Sequence, residues 1–121
     1  MSVRTPEMEA RYQRAKDAGT TIPLCDLPAI KEWHYWKLVV NEFYHDKLCT
    51  EKHYMLVLKR KCPDWWQGMT NYEIFEWIRV IMPEVDPKEQ GHHFMKINLE
   101  AMRSQKDYPH FHVCEYLPEF A

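Results

Sequence analysis

The spacing of apolar residues changes several times along this chain, and each change marks an element. Thr5-Pro6-Glu7 supplies a helix cap, a proline at the first helical position and an acid in the first turn. Met8, Tyr12 and Ala15 recur at helical spacing and Gly19 stands where such a helix stops, so a helix is predicted over 6–18. Pro23 and Pro28 make 20–31 an extended connector with room for a short strand or one helical turn. Tyr35, Lys37 and Val39 then alternate with Trp36, Leu38 and Val40, which predicts a strand over 33–41. The mixed polar stretch 41–47 is a turn, and His53 to Leu58 forms the next strand, antiparallel because the connection is short.

Beyond a basic strand end at Lys59-Arg60-Lys61, Thr70-Asn71-Tyr72-Glu73 has the form of a capping box. It opens a helix over 70–82 whose apolar residues Tyr72, Ile74, Phe75, Trp77, Ile78, Ile81 and Met82 make a stripe wide enough to lie on a sheet, and Pro83 ends it. Residues 92–98 alternate as a strand. The last strand is Tyr108-Pro109-His110-Phe111-His112-Val113-Cys114-Glu115-Tyr116, with its only proline at the entrance. These elements predict an α+β fold: an antiparallel sheet of about four to six strands with the 70–82 helix on one face, and an N-terminal helix besides.

At 121 residues and 45% hydrophobic content, the chain supports one domain with one core, the connector and first helix in 1–31 and the body of the fold in 33–117. A net charge of −2 carries no general attraction to nucleic acid or to an anionic membrane, so neither is expected as a partner. No apolar run approaches the roughly 20 residues of a membrane helix, and the first residues lack the apolar core of a signal peptide, so the expected compartment is cytoplasmic. Cys25, Cys49, Cys62 and Cys114 form no Cys-x-x-Cys pair and are read as free thiols.

The last strand carries the candidate chemistry. Side chains of a strand alternate between faces, so His110, His112 and Cys114 share one face while Phe111 and Val113 point into a core. Two imidazoles and a thiol can act as nucleophile, base or metal ligand near neutral pH. With His53 across the sheet, these three side chains could also hold a tetrahedral zinc ion.

The segments Phe43-Tyr44-His45-Asp46, His53-Tyr54-Met55-Leu56-Val57-Leu58-Lys59-Arg60, Lys96-Ile97-Asn98 and His110-Phe111-His112-Val113 occur in an order that resembles the histidine triad superfamily of nucleotide hydrolases and transferases. The resemblance covers the region from Trp33 to Leu117. It implies that His112 is a nucleophile attacking the α-phosphorus of a nucleotide to give a nucleotidyl-histidine, with His110 and His53 as its neighbours. It also implies Asp46 on the ribose, Asn98 toward the phosphate, and a homodimer; Lys59, Arg60 and Lys106 could lend local charge there, and no cofactor or resident metal is expected. Cys114 stands where the family has its third histidine, and Arg103-Ser104-Gln105-Lys106-Asp107 stands where it has a Gly-Gln-Ser-rich loop. A neutral thiol donates weakly and supplies no cation, so a slower enzyme or a different substrate is expected. The alternatives are the zinc protein and a catalytically inactive module that binds a nucleotide or a protein.

Overall fold

A computed structural model describes residues 3–85, 93–96, 107–117 and 119. Five strands, β1 (Lys31–Glu32), β2 (Trp36–Val40), β3 (Cys49–Leu58), β4 (His93–Lys96) and β5 (His110–Tyr116), form one antiparallel sheet in the order β1-β2-β3-β5-β4. The class is α+β, as the hydrophobic pattern predicts. The first helix, α1 (Pro6–Asp17), begins at the Thr5 cap and ends one residue before the expected bound. Gly19, at a φ of 69°, then turns the chain through a conformation that other residues adopt at a cost. Met8 is buried within α1, while Tyr12 and Ala15 are only partly covered. The connector forms both structures open to it: a 3-10 turn at Leu24–Asp26 and the short strand β1.

The strand expected over 33–41 is corrected to β2, because Trp33 to Tyr35 turn the chain between β1 and β2. The Trp33 amide donates to the Trp36 carbonyl at 2.8 Å, closing this hairpin and pairing Lys31 with Leu38. β3 is longer than expected, and its register against β5 shifts between Cys49 and His53. Beyond that irregularity His53 faces Cys114, Met55 faces His112 and Val57 faces His110. This register puts all three histidines on one side of the sheet.

The other side is the larger core, where Trp36, Leu38, Leu56, Leu58, Ile81, Phe111 and Val113 pack together. The Trp77 and Phe111 rings stack with centroids 4.4 Å apart and planes 10° from parallel. The helix over this face differs from its prediction. It runs as α2 (Asn71–Phe75), a π-helical stretch (Glu76–Ile81) and α3 (Met82–Val85), so Pro83 lies inside its last part. In the wider stretch the Met82 amide bonds back to the carbonyl of Trp77. Widening relieves the crowding that a proline ring imposes on the carbonyl four residues before it in a regular α-helix. The apolar stripe is split in consequence. Ile74, Trp77 and Ile81 face the sheet, whereas Tyr72 is 74% and Phe75 62% exposed.

The predicted capping box is present, and it does more than start the helix. Glu73 accepts from the Thr70 amide at 2.7 Å and receives the Arg60 guanidinium through two bonds of 2.7 and 2.8 Å. Arg60 also donates to the Gly68 carbonyl at 2.7 Å. The end of β3, the following loop and the helix start are thereby tied together. The guanidinium beside it holds the Glu73 carboxyl below the usual carboxylate range, while burial opposes that shift. Lys59 bonds the Trp33 carbonyl and pairs with Glu32, so the basic end of β3 is occupied within the fold.

Candidate functional site

The face of the sheet that carries the histidines is covered rather than open. His110 is 5% exposed and His112 4%, because α1 and the connector lie over that face. Leu24 packs against Val39, Met55 and Val57 of the sheet. Lys37, from β2, anchors the connector by donating to the carbonyls of Cys25 and Leu27 at 2.9 and 2.8 Å. Between the covering layer and the strands lies a cavity of about 450 Å³. Its lining includes Tyr12 and Lys16 of α1, Ile22 and Leu24 of the connector, Asn41, Glu42 and Phe43 after β2, and Met55, His110 and His112 of the sheet. That volume is in the range of pockets that hold small organic ligands. A second hollow, of about 130 Å³ beside Lys31, Trp33 and Glu84, contains neither histidine nor cysteine in its lining.

Behind the cavity the imidazoles form a chain. The His45 amide donates to Nδ1 of His53 at 3.1 Å, and Nε2 of His53 lies 2.9 Å from Nδ1 of His112. The His45 ring also approaches the His53 and His112 rings, at 4.5 and 5.0 Å between centroids. Nδ1 of His110 lies 2.9 Å from the carbonyl oxygen of Tyr108, two residues before it in the chain. The Trp65 ring packs 5.4 Å from His110. Trp65 is the single non-glycine residue with a positive φ, 49°, among the described residues, a costly conformation for so bulky a side chain.

The remaining predicted residues are distributed differently. Cys114 is fully buried opposite His53 and is not part of the cavity lining. Asp46 also lies outside that lining, and its two carboxylate oxygens accept from the Thr5 amide and hydroxyl, each at 2.7 Å. It fastens the start of α1 to the loop between β2 and β3. Asn98 and Lys106 lie outside the described residues.

Two residues that sequence reasoning did not select join the cluster. His45, His53 and His112 bring possible ligand atoms within 4.8 Å of one another, as do Cys49, His53 and Cys114. The donor set expected for zinc, which included His110, is thus replaced by one around His53. These donors suit zinc chemically, but the 2.9 Å between His53 Nε2 and His112 Nδ1 is a hydrogen-bond length. Two imidazole nitrogens on a tetrahedral zinc ion stand about 3.3 Å apart, given Zn–N bonds of about 2.0 to 2.1 Å. His45 precedes Asp46 in the segment that resembles the triad superfamily, and that nearness is the signal that could have found it. Cys49 reaches the cluster through the register shift, which no sequence pattern announces.

Comparison of the chain with family models, curated proteins and solved structures finds no match. No helix among the described residues is long and apolar enough to cross a membrane.

Proposed function

We propose that the cavity binds a nucleotide and that an imidazole of β5 attacks its α-phosphorus, making the protein a nucleotide hydrolase or nucleotidyltransferase. The observation that carries this reading is the pair His110 and His112 in the lining of one cavity of about 450 Å³. Apolar and aromatic side chains in the same lining, Tyr12, Phe43, Ile22 and Leu24, suit a base and sugar. Lys16 supplies the one cation of the lining's Lys and Arg type. An imidazole nucleophile divides one displacement between anionic partners into two easier steps. In the first, an N–P bond forms as the bond from phosphorus to the leaving group breaks, and the leaving group is protonated from solvent. In the second, water or another acceptor attacks phosphorus and the imidazole departs.

Incubation with α-radiolabelled ATP and GTP, dinucleoside polyphosphates and nucleoside phosphoramidates tests the proposal. Release of nucleoside monophosphate, lost when His110 and His112 are both replaced by alanine, is the expected result. Absence of turnover with every substrate, together with one zinc ion retained per chain after dialysis, would favour the metal reading instead. Nucleotide binding without turnover or covalent label would favour an inactive binding module.

A further inference from the structure

We infer that the cavity favours guanine over adenine, with the Asn41 amide donating to the 6-oxo group and the Glu42 carboxylate accepting from N1–H and the 2-amino group. The inference rests on the nucleotide reading above and names the base within it. It starts from Asn41, which lines the cavity and is 7% exposed. The Phe43 amide lies 3.1 Å from its Oδ1. A backbone N–H can only donate, so this contact fixes which end of the side-chain amide is the oxygen. Nδ2 therefore points away from the turn, and its two N–H groups meet no hydrogen-bond acceptor among the described residues. A donor left unmet in so buried a side chain is costly, and a ligand carbonyl removes that cost.

Glu42 follows in the same lining, with the Arg11 guanidinium 4.0 Å from its carboxylate. An ionised carboxylate only accepts, so the two residues offer a donor beside an acceptor. Guanine presents the complement, an acceptor at O6 beside donors at N1 and the 2-amino group. Adenine reverses it, turning a 6-amino donor toward the Asn41 N–H groups and a bare N1 toward the carboxylate. The usual bidentate pairing of asparagine with adenine also uses the amide oxygen, and here that oxygen is turned to the Phe43 amide. The sheet register supplies the distance to β5. Val39, Met55 and His112 lie in one row across β2, β3 and β5, and the Asn41 amide donates to the His53 carbonyl at 2.9 Å, two residues further along. Asn41 and His112 are thus roughly 12 Å apart at their Cα atoms, for strands about 4.8 Å apart and a rise of about 3.4 Å per residue. A nucleotide spans such a gap with its base edge at Asn41 and its phosphate at β5. Tyr12 and Phe43, with ring centroids 5.3 Å apart, form an aromatic wall in the same lining for the base to lie against. The Glu42 side chain is 72% exposed, so water competes for it and the larger part of the discrimination falls to Asn41.

Equilibrium binding of GMP, IMP and AMP to the full chain, read by isothermal titration calorimetry, tests the assignment. Wild type should bind GMP about 10-fold more tightly than AMP, with IMP, which lacks the 2-amino group, between them. Asn41→Asp keeps the oxygen that accepts from Phe43 and replaces the N–H donors with an acceptor, so the preference for GMP should vanish. Glu42→Gln, at an exposed position, should weaken GMP about threefold and leave AMP unchanged. Should Asn41→Asp fail to fold, the wild-type ratio and Glu42→Gln decide alone. Equal binding of GMP and AMP by wild type, tighter binding of AMP, or a GMP preference undiminished in folded Asn41→Asp would overturn the base assignment while leaving the nucleotide reading intact. Wild type that binds none of the three would overturn both.

Discussion

Cys114 shows how much burial changes the chemistry of a single residue. From its place on the strand it belongs beside the two histidines, and an imidazole there would be expected to raise turnover or leave it unchanged. In the fold it is fully buried and outside the cavity lining, next to His53. Cys114→His therefore adds volume without adding a group that reaches substrate. Nucleotide turnover should remain within about threefold of wild type at temperatures where the variant is folded. Stability should fall by about 1 to 3 kcal/mol, the usual cost of overpacking, measured by urea unfolding. At this scale strand alternation made His110 and His112 readable as a pair, since a two-residue repeat needs no tertiary information. It left the His112 hydrogen bond unreadable, because that depends on the His53 ring, far away in sequence, which only folding brings into range. Asp46 illustrates the same limit, with both oxygens engaged by Thr5, far away in sequence.

Among the elements, the helix over the sheet depends on the join between Glu73 and Arg60. Glu73 has 2% of its side chain exposed and takes two bonds from Arg60, which is itself about half exposed. Glu73→Gln removes the charge and part of the capping box, and should cost about 2 kcal/mol at neutral pH. The sign of the pH dependence follows from the carboxyl being held below its ordinary range by Arg60. Its contribution is full above the unfolded carboxylate value of about 4.3 and is lost as pH falls through the lower folded value. Chemical denaturation of wild type and variant should differ by a constant amount between pH 6 and 7, and the difference should shrink in acid below about pH 4. The capping box was legible as a local sequence signature. The π-helical stretch was not, since Pro83 signals an end to a helix and only the packing shows that the backbone widens before it.

For the whole molecule, the decisive feature is the cover that α1 and the connector place over the histidine face. A sheet face bearing two imidazoles and Lys37 looks as though it should meet solvent, and the short connector gives no periodic signal of packing. Lys37 is buried because the carbonyls of Cys25 and Leu27 receive its ammonium. The cover converts a sheet face into a cavity, where fewer waters would compete with a bound ligand and charge acts more strongly. Lys16 brings its cation to that lining from α1. Lys16→Ala should raise the KM for α-radiolabelled ATP about fivefold, with kcat changed less than about twofold, if the ammonium meets the substrate equally in the ground and transition states. Equal loss in kcat with unchanged KM would assign Lys16 to the transition state alone. The central claim, that an imidazole on β5 forms a bond to phosphorus, is tested most directly by rapid acid-free quenching and mass analysis of wild type mixed with ATP. The account predicts one nucleotidyl group per chain, on the peptide containing residues 107–117, stable in alkali and released by mild acid. Turnover without any such adduct under single-turnover conditions, or an adduct on another segment, would contradict it.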